Sequence, residues 1–136
     1  MSRITSPIAE AAESVRQSVK RRVCSLLSCA ISRSARLYRQ EIAIAALKTT
    51  TTRPLAAQAA DELLNISGIA ASIVLYPDGS NVIMSARSMG QINVQMILEP
   101  LGGGGNAATA GCQMHAVTIK EALDALVASI DKYYES

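Results

Sequence analysis

Residues 69–87 of the chain, IAASIVLYPDGSNVIMSAR, decide its fold. Ile69–Tyr76 is a continuous apolar run of strand length, which is typical of a strand buried on both faces of a sheet. Pro77–Gly79 then supplies the residue types of a tight turn. Because Asn81–Arg87 follows with the pattern of a second strand, the stretch predicts a β-hairpin.

Strand and helix patterns alternate on both sides of this hairpin. Upstream, Glu41–Leu47 alternates like a strand, and Pro54 suits the first turn of a helix. Downstream, Gln91–Glu99 predicts a short helix and Gly111–Val117 predicts a further strand. The upstream helix is expected to bury Leu55, Ala59, Ala60, Leu63 and Leu64.

A capping box marks the start of the last helix. Thr118 and Glu121 are three residues apart, so each side chain can accept a hydrogen bond from the other's backbone N–H. The buried face behind them is expected to contain Ile119, Ala122, Leu123, Leu126, Val127 and Ile130. The order after residue 40 is therefore β-α-β-β-α-β-α. This order predicts an α/β protein, with α+β as the alternative, that packs helices on a small mixed sheet of about four to five strands.

The first forty residues differ in charge from the rest of the chain. Residues 1–40 carry eight Lys or Arg against two Glu, whereas residues 41–136 carry five basic and nine acidic residues. Apolar residues recur every three or four positions, so residues 8–37 are predicted to form a basic amphipathic helix. Its stripe contains Val15, Val19, Val23, Leu26 and Ala30. We therefore expect a helical segment or linker at 1–40, one domain at 41–136, and a homodimer or self-packing that covers the stripe.

Composition disfavours several classes of protein. His115 is the single histidine and there are three cysteines, which is too few for a structural zinc site of usual spacing. Aromatic residues make up 3% of the chain and include no Phe or Trp, which disfavours a base-stacking platform. No apolar run approaches the roughly 18 residues of a membrane helix. Cys24, Cys29 and Cys112 are expected to be free thiols of a cytoplasmic protein.

Two elements together predict a phosphate site. Gly102–Gly105 leaves the backbone free to approach a ligand, and successive N–H groups in such a turn can form an anion nest. Ser85 and Arg87 project from one strand face, where a guanidinium beside a hydroxyl suits a phosphate. No Lys-Ser/Thr follows the glycines, so the run is not a Walker A loop. A simple linker is the alternative interpretation of the glycines.

Four segments make the chain recognisable. They are Ala57–Leu64 (AQAADELL), Ile83–Gly90 (IMSARSMG), Ile92–Gln95 (INVQ) and Leu101–Asn106 (LGGGGN). In this order and spacing they resemble the DHH-associated domain of DHH-family phosphoesterases, most of all that of bacterial cyclic di-AMP phosphodiesterases. The resemblance covers residues from about 31 to the end of the chain.

The resemblance implies a domain that closes over a phosphodiester substrate while a separate DHH domain holds two manganese ions and cleaves it. It implies that Gly102–Gly105, Arg87 and Ser88 hold the substrate's phosphate and nucleoside. Asn106 stands where many members have His, and its amide can donate and accept hydrogen bonds but carries no charge. Since the chain has no Asp-His-His motif, we expect no cofactor here, and manganese only in a DHH domain acting in cis or in trans.

We interpret the chain as the substrate-binding module of a DHH-family phosphodiesterase that acts on cyclic di-AMP or short oligonucleotides. Two other interpretations stay open. One is an RNA-binding accessory domain, which the basic first segment favours and the acidic remainder disfavours. The other is an interaction domain whose N-terminal helix pairs with a partner and whose glycine loop is empty.

We expect the chain alone to show no phosphodiesterase activity, with or without added manganese. The reason is that its single histidine and scattered carboxylates do not supply the ligands of a two-metal site. The measurement is hydrolysis of a linear and a cyclic dinucleotide by the purified chain. Metal-dependent turnover that persists after contaminating hydrolases are removed would contradict the expectation.

Overall fold

A computed structural model describes residues 35–135. They form a mixed sheet with helices on both faces. Its strands are β1 (Ala35–Tyr38), β2 (Ile42–Ala46), β3 (Ala71–Asp78), β4 (Asn81–Ser88), β5 (Gly104–Gly105) and β6 (Thr109–Met114). Its α-helices are α1 (Arg53–Leu64), α2 (Val94–Leu98) and α3 (Ile119–Glu135), and a 3-10 turn (Glu99–Leu101) follows α2. None of these helices combines the length and apolar character that a membrane span requires.

The strands lie in the order β1-β2-β3-β4-β6-β5. β2 and β3 are parallel, because α1 connects them as a crossover, and the other neighbouring pairs are antiparallel. The predicted hairpin is confirmed: β3 and β4 pair along their whole length, and Asp78 lies opposite Asn81 across the turn. The α/β class is confirmed as well, with six strands rather than about four to five.

Helix α1 packs against β3 and β4 on one face of the sheet. It begins as predicted, with Pro54 in its first turn, and the Thr52 side chain accepts a hydrogen bond from the backbone N–H of Leu55. Leu55 itself was expected to be buried, but 44% of it is exposed. The buried stripe consists of Ala56, Ala59, Ala60 and Leu63, so Ala59, Ala60 and Leu63 are buried as predicted and Ala56 takes the place of Leu55. Three of these are small, which lets the helix approach the strands closely.

Helices α2 and α3 cover the opposite face. The predicted capping box of α3 is confirmed, since the Thr118 N–H donates to the Glu121 carboxylate at 2.8 Å and the Glu121 N–H donates to the Thr118 hydroxyl at 3.1 Å. The largest side chains buried between this helix pair and the sheet are Ile42, Ile73, Leu75, Val82, Met84, Ile97, Leu98, Leu126 and Ile130. Alternate residues of β4 therefore point into this core, as the hairpin pattern predicts.

The prediction of helix over residues 8–37 is wrong at its end, because Ala35–Tyr38 forms β1. Ala35 and Leu37 pack with the α1 core and Tyr38 with the opposite core, which is the two-residue period of a strand. The rest of the predicted helix, its apolar stripe, Cys24 and Cys29 lie outside the described residues. Cys112 is a free, buried thiol, and burial raises its pKa.

Two predicted boundaries also shift. The strand expected at Gly111–Val117 is β6, which starts at Thr109 because that residue still pairs with β4. It ends at Met114 because Ala116 adopts a positive φ of 57° in the turn that leads to α3. The helix expected from Gln91 begins only at Val94, where the Asn93 side chain caps it.

A polar cluster joins the β1–β2 hairpin to the end of α3. Its members, which we call the hairpin clamp, are Tyr38, Arg39, Glu41, Asp131 and Tyr134. Tyr38 donates its hydroxyl hydrogen to Asp131 Oδ1 at 2.5 Å, and Arg39 Nη2 reaches the same oxygen at 3.0 Å. The Arg39 guanidinium also lies 4.4 Å from the centre of the Tyr134 ring, whose hydroxyl donates to Glu41. These contacts hold a hairpin turn in which Arg39 has a positive φ of 56°.

We expect Asp131→Asn to destabilise the domain at neutral pH and much less at pH 3. The hydrogen bond from Tyr38, and then the Arg39 guanidinium, lower the pKa of Asp131. A carboxylate with a lowered pKa stabilises the fold above its unfolded pKa of about 4, and this contribution disappears as the pH falls through the folded value. Urea midpoints at both pH values test this, with the exposed Asp124→Asn on the same helix as control. An equal loss of stability at both pH values would contradict the assignment.

Candidate functional site

The face of the sheet that carries α1 is open over its last strands. α1 covers β3 and β4, whereas β6 and β5 on this side remain exposed. We call the exposed surface the open strip; it consists of Ser85 and Arg87 on β4, Thr109, Gly111 and Gln113 on β6, and Gly104 on β5. These residues share a face because directly opposed residues of antiparallel strands point the same way.

The register places the strip residues in three rows across the sheet. Arg87 lies opposite Thr109 in the first row. Ser85, Gly111 and Gly104 form the second row. Gln113 occupies the third row, opposite a buried apolar residue of β4. The structure therefore brings together Ser85, Arg87 and one of the four loop glycines, as the sequence predicted.

Arg87 provides positive charge at one end of the strip. Its Nε lies 3.3 Å from Asp61 Oδ1 on α1, and its Nη1 donates to the Ala86 carbonyl at 2.9 Å. The Arg87 side chain is 19% exposed while that of Asp61 is 61% exposed. The guanidinium is thus fixed on one edge, and its Nη2 makes no hydrogen bond to any residue from 35 to 135. A guanidinium held in this way can present its outer N–H groups to an anion.

Three of the four loop glycines are required by the fold itself. Gly102 ends the 3-10 turn with φ of 95°, and Gly105 has φ of 144°. A Cβ on Gly103 would collide with the carbonyl oxygen of Gly111, and one on Gly105 with that of Thr109. The loop is therefore packed tightly onto β6 and is not a loose linker.

The predicted nest of four successive N–H donors is wrong for the first half of the loop. The Gly102 N–H donates to the Glu99 carbonyl at 3.0 Å, and the Gly103 N–H donates to the Leu98 carbonyl at 2.9 Å. Both donors complete the preceding helical turn and are not available to a ligand. The main partner available to an anion near the loop is therefore the Arg87 guanidinium.

Gly104 is different, because nothing in the described structure requires a glycine there. It lacks the positive φ of Gly102 and Gly105, and a Cβ on it would meet no atom within 4 Å. Its neighbour across the ladder is Gly111, where a Cβ would come no closer than 3.5 Å to another residue, the Met84 carbonyl. Two adjacent glycines thus form a flat patch of bare backbone, the glycine floor, beside Ser85. A ligand can approach such a floor more closely than any other part of the strip.

Two predicted site residues are placed differently. Ser88 is buried and lies one residue beyond Arg87, so its side chain points to the opposite face, where its oxygen accepts the Gly90 N–H at 3.0 Å. Asn106 uses its side-chain oxygen within the loop, accepting the N–H groups of Ala108 and Thr109 at 2.9 Å each. The Asn106 amide nitrogen remains as the group that can face a ligand.

Sequence reasoning missed three strip residues, Thr109, Gly111 and Gln113, and it missed Asp61 as the partner of Arg87. Gly111 and Gln113 were assigned to a strand without a role and Thr109 was not assigned to a strand, so only the pairing of β6 with β4 and β5 reveals their positions. Asp61 carries a weak signal, since it is an acidic residue next to the buried stripe of α1. Its pairing with Arg87 follows from how α1 crosses β4, which no local pattern encodes.

The described residues do not fit a metal centre. No group of three or more His, Cys, Asp or Glu side chains within residues 35–135 lies in an arrangement that could hold an ion. His115 is exposed in the turn after β6. The two-metal donor set expected of a DHH catalytic domain is therefore not supplied by this part of the chain, and no chemical step here is assigned to a metal.

The fold and the open strip define a small α/β domain with one polar, cationic face. Residues 39–136 match the DHHA1 domain family. The chain belongs to this family, and the resemblance found in its sequence is confirmed.

Similar proteins place this domain within larger chains. Over 104 residues it is 43% identical to the cyclic-di-AMP phosphodiesterase GdpP of Bacillus subtilis (strain 168), which covers 73% of this chain and 16% of that protein. Over 82 residues it is 49% identical to the cyclic-di-AMP phosphodiesterase PdeA of Listeria monocytogenes serotype 1/2a (strain 10403S), covering 60% of this chain and 12% of that protein. An exopolyphosphatase-related protein of Bacteroides fragilis has the same fold, with a TM-score of 0.65 at 17% identity over 91% of this chain and 35% of that one.

The contrast between Gly104 and Gly105 predicts effects of very different size for the same substitution. Gly105→Ala is expected to destabilise the domain by about 2 kcal/mol or more, because it adds a collision to a strained backbone. Gly104→Ala is expected to change stability by no more than about 0.5 kcal/mol, since its Cβ enters open space. Urea denaturation of the two variants measures the difference. Similar losses in both would show that Gly104 is also required by the fold.

Proposed function

We propose that the chain is a substrate-binding module that holds a phosphodiester-linked dinucleotide on the open strip. The observation that carries the proposal is the position of Arg87 beside the glycine floor on an exposed face of the sheet. The guanidinium supplies charge for a phosphate, and the floor supplies a flat surface without side chains for the attached nucleoside.

The individual contacts have distinct roles in this proposal. Arg87 binds phosphate oxygens through its outer N–H groups while Asp61 holds its Nε. Ser85, half-buried between the guanidinium and the floor, offers a hydroxyl that can donate to a phosphate or a ribose oxygen. Asn106 lies beside Thr109, in the loop that follows β5, and its amide group can donate to a base.

The choice of a dinucleotide rests on the relatives. The two curated proteins that match at 43% and 49% identity are both cyclic-di-AMP phosphodiesterases, and the match falls on this domain. We propose the same substrate class for this chain, either the cyclic dinucleotide or its linear counterpart. Cleavage, together with any manganese it uses, is assigned to a DHH catalytic domain that acts with this module in cis or in trans.

Direct binding measurements distinguish this proposal from the alternatives. The ligands are cyclic di-AMP, linear pApA and a short oligoribonucleotide, each titrated into the purified chain by calorimetry. Tighter binding of either dinucleotide than of the oligoribonucleotide supports the proposal. Preference for the oligoribonucleotide would assign the chain to RNA binding instead, and absence of binding to all three would leave an interaction domain without a ligand.

Arg87→Ala is expected to weaken dinucleotide binding by about 1.5–3 kcal/mol, the range for a hydrogen bond to a charged group. Arg87→Lys should recover only part of this loss, since an ammonium does not reproduce the bidentate fork. Arg36→Ala is the matched control, because Arg36 is exposed on β1 at the other edge of the sheet. Unchanged affinity in Arg87→Ala would place the ligand elsewhere.

A further inference from the structure

A second arginine lies at the far end of the open strip. Arg53 is the first residue of α1, and its Nη2 lies 3.4 Å from the side-chain oxygen of Gln113 on β6. Gln113 is four positions along β6 from Thr109, which lies opposite Arg87. At the rise of an antiparallel strand, these two positions are about 13 Å apart. The two guanidiniums therefore stand at opposite ends of the strip.

The electrostatic surroundings of the two arginines differ. Arg87 forms an ion pair with Asp61, whereas Arg53 contacts no carboxylate among the residues from 35 to 135. Its partner there is a neutral amide oxygen, which orients the guanidinium without cancelling its charge. Arg53 is exposed, so the charge is accessible from solvent. An oriented and uncompensated guanidinium at the rim of an open surface is suited to a second anionic group.

The surface between the two arginines carries little that would obstruct a ligand. The middle row contains Ser85, Gly111 and Gly104, two of which have no side chain. The fold does not require a glycine at Gly104 or Gly111, because a Cβ added there would lie in open space or at an ordinary contact distance. A ligand that crosses this row in the direction of the strands can reach Arg87 with one end and Arg53 with the other.

We infer that Arg53, oriented by Gln113, is a second phosphate contact that determines specificity for ligands with two phosphate groups. This inference rests on the proposed function, since it assumes that Arg87 and the glycine floor bind the first phosphate and its nucleoside. It adds a reason why a dinucleotide binds better than a mononucleotide: the dinucleotide spans both guanidiniums, whereas a mononucleotide occupies only the end at Arg87.

The test compares linear pApA with AMP on six proteins by calorimetric titration: the unmodified chain, Arg53→Ala, Arg53→Lys, Gln113→Ala, Arg87→Ala and the control Arg36→Ala. Arg53→Ala is expected to weaken pApA binding about tenfold and AMP binding less than about twofold. Arg87→Ala is expected to weaken both ligands. Gln113→Ala should weaken pApA binding by a smaller factor than Arg53→Ala, because the charge remains but loses its orientation.

The outcomes separate the two proposals. If Arg53→Ala leaves pApA binding unchanged, or weakens pApA and AMP equally, while Arg87→Ala still weakens both, the inference about Arg53 is overturned and the proposed function stands. If the unmodified chain does not bind pApA, the inference about Arg53 is overturned. If it binds neither pApA nor cyclic di-AMP, or if Arg87→Ala changes nothing, the proposed function fails as well. Arg53→Lys guards against an effect on folding, since it keeps the charge and should retain more pApA affinity than Arg53→Ala.

Discussion

Strand β4 pairs with β3 on one side and β6 on the other, and this double pairing fixes the rest of the structure. Because neighbouring side chains of a strand point to opposite faces, one register serves two purposes. Val82, Met84 and Ala86 enter the core under α2 and α3, while Ser85 and Arg87 face the side of α1. A slip by one residue would bury the arginine and expose the core, so packing of the domain and placement of its charge are specified together.

The same strand pairing also brings together residues that are far apart in the sequence. Gly104 and Gly111 become neighbours only because β5 folds back on β6, and both reach Ser85 only because β6 lies beside β4. Arg53 and Asp61 come from α1, the crossover between the parallel strands β2 and β3. The open strip is thus assembled from three strands, α1 adds charged side chains beside it, and its shape depends on how α1 covers part of the sheet and leaves the remainder exposed.

Local chemistry accounts for the parts of the fold that were predicted from sequence. The turn after β3 and the capping box of α3 depend only on residues that are close together in the sequence, and both are confirmed. Long-range packing accounts for what was missed. Ala35–Tyr38 follows a helical pattern in sequence but gains ladder hydrogen bonds by joining β2, and Ala56 rather than Leu55 is buried in α1. Arg87 and Gly104 were named from the sequence and lie on the open strip, whereas the burial of Ser88 and the position of Gly111 depend on strand pairing.

The shortness of β5 has a consequence for motion. The strand is two glycines long and is the outermost strand of the described sheet, so few ladder bonds hold it and its backbone gains much entropy on release. Segments of this kind open locally at a lower free energy than the central strands, without unfolding of the whole domain. We therefore expect the rim of the strip to open more often than β3 and β4. Slower amide hydrogen exchange at Gly104 and Gly105, with little change in β3, would be the signature of an occupied strip.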